Sequence, residues 1–377
     1  MTPLEVMWHS PVYDPSGYAA CARDYILSLD KNGVRVLNKP VSFWSNITQP
    51  AVSGDTLDRL KALEASQISP TAPRVQHYVP DVYKRGRDAR PQIGYTVFET
   101  DGCPEKWLKK MDMMDQIWVP CHFNLDTFEN SGFDRKKMRV IPHIVDTDLF
   151  NPDVTPLDIP IKKDFYFLVV MDVTHRKGWD ILLRSYLREF KGNRDVGLVF
   201  KGYFGGVGEQ QKRNLINKLR AFRDSLNIHN PPDIIFFGDI MDQIDMPRLY
   251  KACQCFVLPH RGEGWGLTLS QAMSMGMPTI GTGWSGNLEF MNKDNSYLID
   301  VLEFREINDE MVKITPNYNG QKWAEPSELH LRSLMRTVYD NYEDAKKKGI
   351  QARQDMVNNF TWKPITDKIK EALGELL

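Results

Sequence analysis

Short apolar runs alternate with amphipathic segments along most of this chain, and that alternation restricts its fold more than any other feature. LEVMW (4–8) reads as a strand. The loop HSPVYDPSG follows, then a helix over YAACARDYILSLDKNG that Gly33 can cap. VRVLNKPV, VQHYV (75–79), IGYTVF (93–98), QIWVP (116–120) and MRVIP (138–142) are further strands, separated by helical stretches. A proline-rich stretch without periodicity, FNPDVTPLDIPIKKD (150–164), reads as a linker. The alternation then restarts: strand DFYFLVVMDV, helix GWDILLRSYLREF, strand DVGLVFKGYF, helix GEQQKRNLINKLRAFRDSLN, strand DIIFFGDI, helix MPRLYKAC, strand QCFVLP, strand MPTIGTGW. Strand–helix–strand with tight turns gives a parallel sheet covered on both faces. The pattern predicts an α/β chain of two doubly wound parallel-sheet domains facing a cleft, with ligand beyond the carboxyl ends of the strands. The tail from SELHLRSL onward reads as helical throughout, with a break at Trp362-Lys363-Pro364.

Composition removes several classes. A chain of 377 residues is too long for one typical core, which agrees with two domains. A formal net charge of −1 gives no global pull toward nucleic acid or an anionic membrane. Basic clusters Lys84-Arg85-Arg87-Arg90 and Arg135-Lys136-Lys137-Arg139 could still meet one, but acidic residues interleave and a solvated face is favoured. The five cysteines form no CxxC pair and read as reduced thiols, with Cys253 and Cys255 on one face of a strand. MTPLEVMWHSP does not read as a signal peptide, and no run approaches the ~20 apolar residues that span a bilayer. Together these predict a cytoplasmic protein.

One stretch calls for a chemical reading: HRGEGWGLTLSQAMSMGMP (260–278). Placed between strand QCFVLP and a helix, it sets the N–H groups of Gly264, Trp265, Gly266 and Leu267 at a helix amino terminus. Such a terminus attracts anions, and glycines let a phosphate approach the backbone. Glu263 would repel a phosphate, so it is either a capping carboxylate or an acceptor for hydroxyls next to the phosphate, as on a sugar. GYFGGVG (202–208) does not fit the dinucleotide pattern G-x-G-x-x-G. No Asp-x-Asp pair suggests a metal.

The same stretch, with TIGTGWSGNLEF after it, resembles the donor-site signature of the retaining family-4 glycosyltransferases, whose two-Rossmann-domain architecture is called GT-B. THRKGWDILLRSY (174–186), VIPHIVDTDLFNP (140–152), QIWVPCHFNLDTFENSGF (116–133) and KWAEPSELHLRSLMR are similar to further family phrases in the same order. The resemblance implies sugar transfer from a nucleoside diphosphate sugar, UDP-linked by preference, to a hydroxyl acceptor. It further implies retention and a front-face route, and with no Asp-x-Asp pair where a nucleotide-sugar metal would be needed, chemistry without a metal or other cofactor is expected. It gives Lys177 and Arg176 the leaving diphosphate, Glu263 the sugar hydroxyls and Gln271 the ribose. Gln271 stands where the family has glutamate, which removes charge from that contact. Asp172 stands where many members have an arginine that meets the diphosphate. In the first domain, Ser16 and Gly17 at the first strand–helix turn are candidates for the nucleotide or acceptor, and Glu99 for the transferred sugar or acceptor. Asn287 and Glu289 lie near the donor strand ends. His9, His77, His122 and His143 read as structural loop-edge histidines. The expected division is an acceptor-side domain over 1–155, a donor domain over 156–358, and a C-terminal helix over 359–377 that returns to the first domain. Alternatives are glycosylation of a hydroxylated base in nucleic acid, and a nucleotide-sugar epimerase or binding protein.

Overall fold

The structure, a computed structural model, describes residues 4–42, 52–203, 208–239 and 241–377. The GYFGGVG run therefore falls partly outside the described residues. The chain divides into two compact units. One comprises Met1–Ile144, Asn317–Gln321 and Asn359–Leu377; the other comprises Val145–Pro316 and Lys322–Asn358.

The first unit holds β1 (Glu5–Ser10), α1 (Gly17–Lys31), β2 (Arg35–Pro40), α2 (Gly54–Leu63), β3 (Arg74–His77), β4 (Gln92–Tyr95), α3 (Glu105–Met111), β5 (Gln116–Val119), α4 (His122–Asn130) and β6 (Met138–Val140). Its sheet has the order β2-β1-β3-β4-β5-β6, parallel throughout. Every residue of β4 and β5 is buried, as expected for a sheet covered on both faces. Ser16 caps α1 by accepting the Ala19 N–H at 3.2 Å.

The second unit holds β7 (Phe165–Asp172), α5 (Trp179–Glu189), β8 (Val196–Tyr203), α6 (Glu209–Ser225), β9 (Asp233–Phe237), α7 (Asp245–Lys251), β10 (Cys255–Leu258), α8 (Leu267–Ser274), β11 (Thr279–Thr282), β12 (Tyr297–Ile299), β13 (Val301–Glu306), α9 (Asp309–Ile314), β14 (Lys322–Pro326), α10 (Glu328–Asp340) and α11 (Tyr342–Asn359). Its parallel sheet has the order β12-β11-β10-β7-β8-β9. The chain runs outward from β7 through β8 to β9, then returns to β7's other side with β10. The switch point thus lies between β7 and β10, where open α/β sheets hold ligands beyond the strand ends. The two doubly wound sheets expected from the alternation are both present.

Several local expectations need correction. The stretch 150–164 forms no helix or strand, yet Phe150 and Ile159 are buried in the second unit, and Arg353 and Ser274 bond the Phe150 carbonyl. The tail breaks at Asn341 and again just before α12 (Trp362–Gly374), not at Pro364. Pro364 sits in the first turn of α12, where a missing N–H costs nothing. α12 belongs to the first unit, with Ser28 and Thr366 hydroxyls bonded and Lys370 Nζ on the Asn32 carbonyl at 2.8 Å. The antiparallel β13–β14 pair is an addition that the alternation does not foreshadow. Cys253 precedes β10 rather than sharing it with Cys255, and all five cysteines are buried thiols. His77 is the last residue of β3, at its loop edge, and His9 is the penultimate residue of β1. Among the described residues no helix is long and apolar enough to cross a membrane.

Candidate functional site

The loops leaving β7 and β10 carry the charged groups of the second unit's switch point. After β7 the chain makes a short 3-10 turn, His175–Lys177, and then Gly178 at φ +70° opens α5. A Cβ on Gly178 would lie 1.9 Å from the Pro259 carbonyl oxygen of the neighbouring loop, so only glycine permits this approach. Gly178→Ala is expected to cost about 3 kcal/mol, from the positive φ and the clash together. A lowered denaturant midpoint with an unchanged m-value checks it.

Beneath the turn lies Arg261, 2% exposed. Its guanidinium reaches Asp180 at 2.9 and 3.0 Å, Glu325 at 2.8 and 3.1 Å and the His175 carbonyl at 2.6 Å. Burial pushes the Asp180 carboxyl up, but the bonds and charge of Arg261 outweigh it and hold the group below its ordinary value. The backbone closes the same corner, with the Arg261 N–H on the Arg176 carbonyl at 2.6 Å. Two carboxylates satisfy this buried cation, so the 175–177 turn rests on a fixed base. No local motif in the sequence marks Arg261, Asp180 and Glu325 as supports.

Lys177 and Arg176 then meet Glu263. Lys177 Nζ donates to Glu263 Oε1, Arg176 Nη1 lies 3.3 Å from the same oxygen, and Arg176 also donates to the Gly262 carbonyl at 2.7 Å. Glu263 is only 5% exposed. Burial alone would raise its pKa, but Lys177, Arg176 and His260 overcome that and hold it at about 2. The loop is laced to its neighbour: Glu263 N–H donates to Ser285 Oγ at 2.9 Å, and Gly286 N–H to the Glu263 carbonyl at 2.9 Å. Ser285 holds φ +78°, a left-handed region that non-glycine residues rarely occupy, and a Cβ on Gly286 would lie 2.3 Å from the Gly264 carbonyl.

Gly264, Trp265, Gly266 and Leu267 follow into α8, which opens after Gly266 at φ +99°. The Trp265 ring is buried against Phe290, centroids 4.9 Å apart, so only its backbone can serve an anion. Gln271 Oε1 accepts from the Tyr250 hydroxyl at 3.3 Å. Asn287 is fully buried and donates to the Thr282 carbonyl at 2.9 Å, a loop-holding role. Asp172 ends β7 beside the cations: burial raises its pKa, and Lys177 and Arg176 pull the other way.

The remaining candidates belong to the first unit. Ser16 and Gly17 form the start of α1 and are accounted for locally by capping. Glu99 is half-buried in the loop after β4, electrostatically close to Tyr18, whose hydroxyl lies 3.2 Å from Thr96 Oγ1. Tyr318, in the excursion from the second half of the chain, packs on Phe98 beside that loop, centroids 5.6 Å apart. Most cations of the basic clusters are paired: Arg85 with Asp115, Arg90 with Asp88, Arg135 with Asp126 and Glu129, Lys137 with Asp112, Arg139 with Glu375. Among the described residues no group of three or more His, Cys, Asp or Glu side chains is arranged to hold a metal ion.

Comparisons with known proteins fall on the same segment. Residues 162–317 match the family "Glycosyl transferases group 1". Mannosylfructose-phosphate synthase of Agrobacterium fabrum is 29% identical over 177 residues, covering 45% of this chain and 37% of that protein. The lipopolysaccharide core biosynthesis mannosyltransferase LpsB of Rhizobium meliloti is 29% identical over 150 residues, 38% of this chain and 40% of that protein. The chain thus spans about two fifths of the length of these curated relatives. Among solved structures, Anabaena HepE in complex with UDP and glucose superposes with TM-score 0.68 at 13% identity, covering 99% of this chain and 100% of that one. A glycosyltransferase from Rickettsia africae superposes with TM-score 0.69 at 15% identity, covering 100% and 99%. The stretch bearing Lys177, Arg176 and Glu263 therefore matches the group 1 glycosyl transferases, on a chain whose two Rossmann-like units have the GT-B fold of these solved structures.

Proposed function

We propose that the chain transfers a sugar from a nucleoside diphosphate sugar, UDP-linked by preference, to a hydroxyl acceptor, with retention and without a metal. The observation that carries this is the Lys177–Arg176–Glu263 cluster at the second unit's switch point, within the matched segment. Lys177 and Arg176 are the two cations of that corner suited to a diphosphate, set against the carboxylates of Glu263 and Asp172. Anabaena HepE, which shares the fold, binds UDP and glucose, and the relatives' names describe sugar transfer and sugar-phosphate synthesis.

In this reading the bond from the anomeric carbon to the diphosphate oxygen breaks, and its electron pair goes to the diphosphate. Lys177 and Arg176 take up the charge that develops there, assisted by the amino end of α8 through Gly264 to Leu267. The acceptor oxygen bonds to the anomeric carbon on the face that the diphosphate leaves, and its proton passes to the departing phosphate. Glu263, held at about pKa 2, is too weak a base to take that proton at neutral pH. It serves instead as a permanent acceptor for sugar hydroxyls. Gln271 supplies the ribose contact, and Glu99, Ser16 and Gly17 are the first-unit candidates for acceptor or nucleotide.

Proton NMR of turnover tests the reading, with UDP-sugars, simple sugar and polyol acceptors, and EDTA present. Expected are acceptor-dependent release of UDP, an unchanged anomeric configuration and indifference to EDTA. An inverted product, an epimer formed without acceptor, or loss of turnover in EDTA contradicts it.

A further inference from the structure

β13 belongs to a sheet of two strands. β14 lies along one of its edges, and among the described residues no strand lies along the other. An edge strand carries a row of unpaired N–H and C=O groups, which folded chains usually cover, shorten or surround with charge. Here the edge is apolar as well as open: Leu302 is 66% exposed and Phe304 50%. The Phe304 ring leans on Trp284, centroids 5.3 Å apart.

The register shows what this edge offers. Phe304 stands opposite Ala324. The Ala324 N–H turns away from β13 and donates to the Arg261 carbonyl at 3.0 Å. In an antiparallel ladder two opposite residues both bond inward or both point outward. The N–H and C=O of Phe304 therefore point out over the free edge. Glu303 and Arg305 flank Phe304 with their side chains on the other face of the strand. Both are more than half exposed, and Arg305 Nη2 lies 2.6 Å from Glu303 Oε1.

A second copy of the same strand fits this edge. With a two-fold axis between two Phe304 residues, each N–H can donate to the other's carbonyl. The same axis sets the two rings side by side and brings Glu303 of each copy opposite Arg305 of the other. Outward residues must meet outward residues, so the register slides only in steps of two residues. A step one way puts Glu303 opposite Glu303, and a step the other way puts Arg305 opposite Arg305. The charges thus single out the register centred on Phe304. We infer that β13 is a homodimer interface, in which two copies pair antiparallel across Phe304 to make one four-stranded sheet, β14-β13-β13-β14. Trp284, beneath Phe304, directly precedes Ser285 and Gly286, which hold the Glu263 loop, so the contact backs onto the scaffold of the candidate site. The inference stands apart from the sugar-transfer reading.

Sedimentation velocity of the full chain from about 1 to 100 µM tests it. Wild type should dimerise within that range. Glu303→Arg and Arg305→Glu each set like charges face to face twice, and each should raise the dimer dissociation constant about tenfold or more. An equal mixture of the two single variants should dimerise again, because one copy then carries two cations and the other two carboxylates. The double variant Glu303→Arg/Arg305→Glu, which exchanges the charges within each copy, should dimerise like wild type. Both positions are exposed, so circular dichroism and melting temperature should stay near those of wild type. Wild type that is monomeric over the whole range overturns the inference. So does a wild-type dimer that both single variants leave unchanged, and so do single variants whose lost dimerisation is not recovered on mixing.

Discussion

Replacing Lys177 by alanine is expected to lower kcat/KM for the nucleotide sugar by about 10²–10³-fold, the usual effect of removing one preorganised group that stabilises leaving-group charge. Initial rates of UDP release measure it. The loss should appear mainly in kcat, because Lys177 faces charge that grows as the glycosidic bond breaks. The substitution also removes a partner of the buried Glu263, so a lower melting temperature of the second unit accompanies the kinetic effect. Arg176 retains its 3.3 Å approach to Glu263 and its bond to the Gly262 carbonyl, which leaves a measurable residual rate. A Lys177→Ala enzyme with wild-type kcat would remove this lysine from the mechanism.

The second large effect is on stability in mild acid. Burial holds five histidines below their ordinary value of 6.5: His9 at about 4, His143 at about 3, His260 at about 3, His77 well below, and His175 lowered as well. Below about pH 6.5 the unfolded chain binds protons at these sites that the folded chain does not, so acid favours unfolding. Each such histidine costs about 1.4 kcal/mol per pH unit until its folded value is reached. His9, His77 and His143 all lie in the first unit, which should lose roughly 4 kcal/mol per unit of pH. Against a typical domain stability of ~5–15 kcal/mol, the first unit should melt near pH 5 before the second. The depressed Glu263 acts in a lower window: its contribution is full above about 4.5 and lost as pH falls toward 2. Melting followed by circular dichroism from pH 7.5 to 5 should show a steep fall, with a first-unit transition separating from the other. A flat profile over that range would mean these histidines find partners or protons in the folded state.

These two effects draw on information of different origin. Lys177, Arg176 and Glu263 are legible in the chain because RKG and EGWG are short local phrases at strand exits. The doubly wound sheets are equally legible from the apolar runs. The support beneath the site is not: Arg261 pairs with Asp180 and Glu325, which lie 81 and 64 residues away in sequence. Such pairs leave no local periodicity to detect. The left-handed Ser285 is hidden because only glycine advertises that conformation. Gln271 reads as a ribose contact from its place in the signature, but its bond to Tyr250 depends on how α7 and α8 pack. The buried environments of His77 and His143 are likewise invisible in the sequence. His77 lies 4.3 Å from the Tyr95 ring, and His143 Nδ1 lies 3.1 Å from Cys21 Sγ, contacts formed between distant strands and helices. The β13–β14 pair has no local signal because its strands are separated by α9 and β13 is mostly exposed, so no buried alternation marks it.

The central claim is that the Lys177–Arg176–Glu263 corner grips a nucleotide sugar, with the cations on the diphosphate and the carboxylate on the sugar. Calorimetric titration of UDP and a panel of UDP-sugars into wild type and Glu263→Ala tests it most directly. Wild type should bind one UDP-sugar more tightly than UDP itself. Glu263→Ala should bind UDP at least as well as wild type, since the two cations are freed from the carboxylate, and should lose the added affinity due to the sugar. Wild type that binds no member of the panel would contradict the account, as would a Glu263→Ala protein that keeps its preference for the sugar nucleotide over UDP.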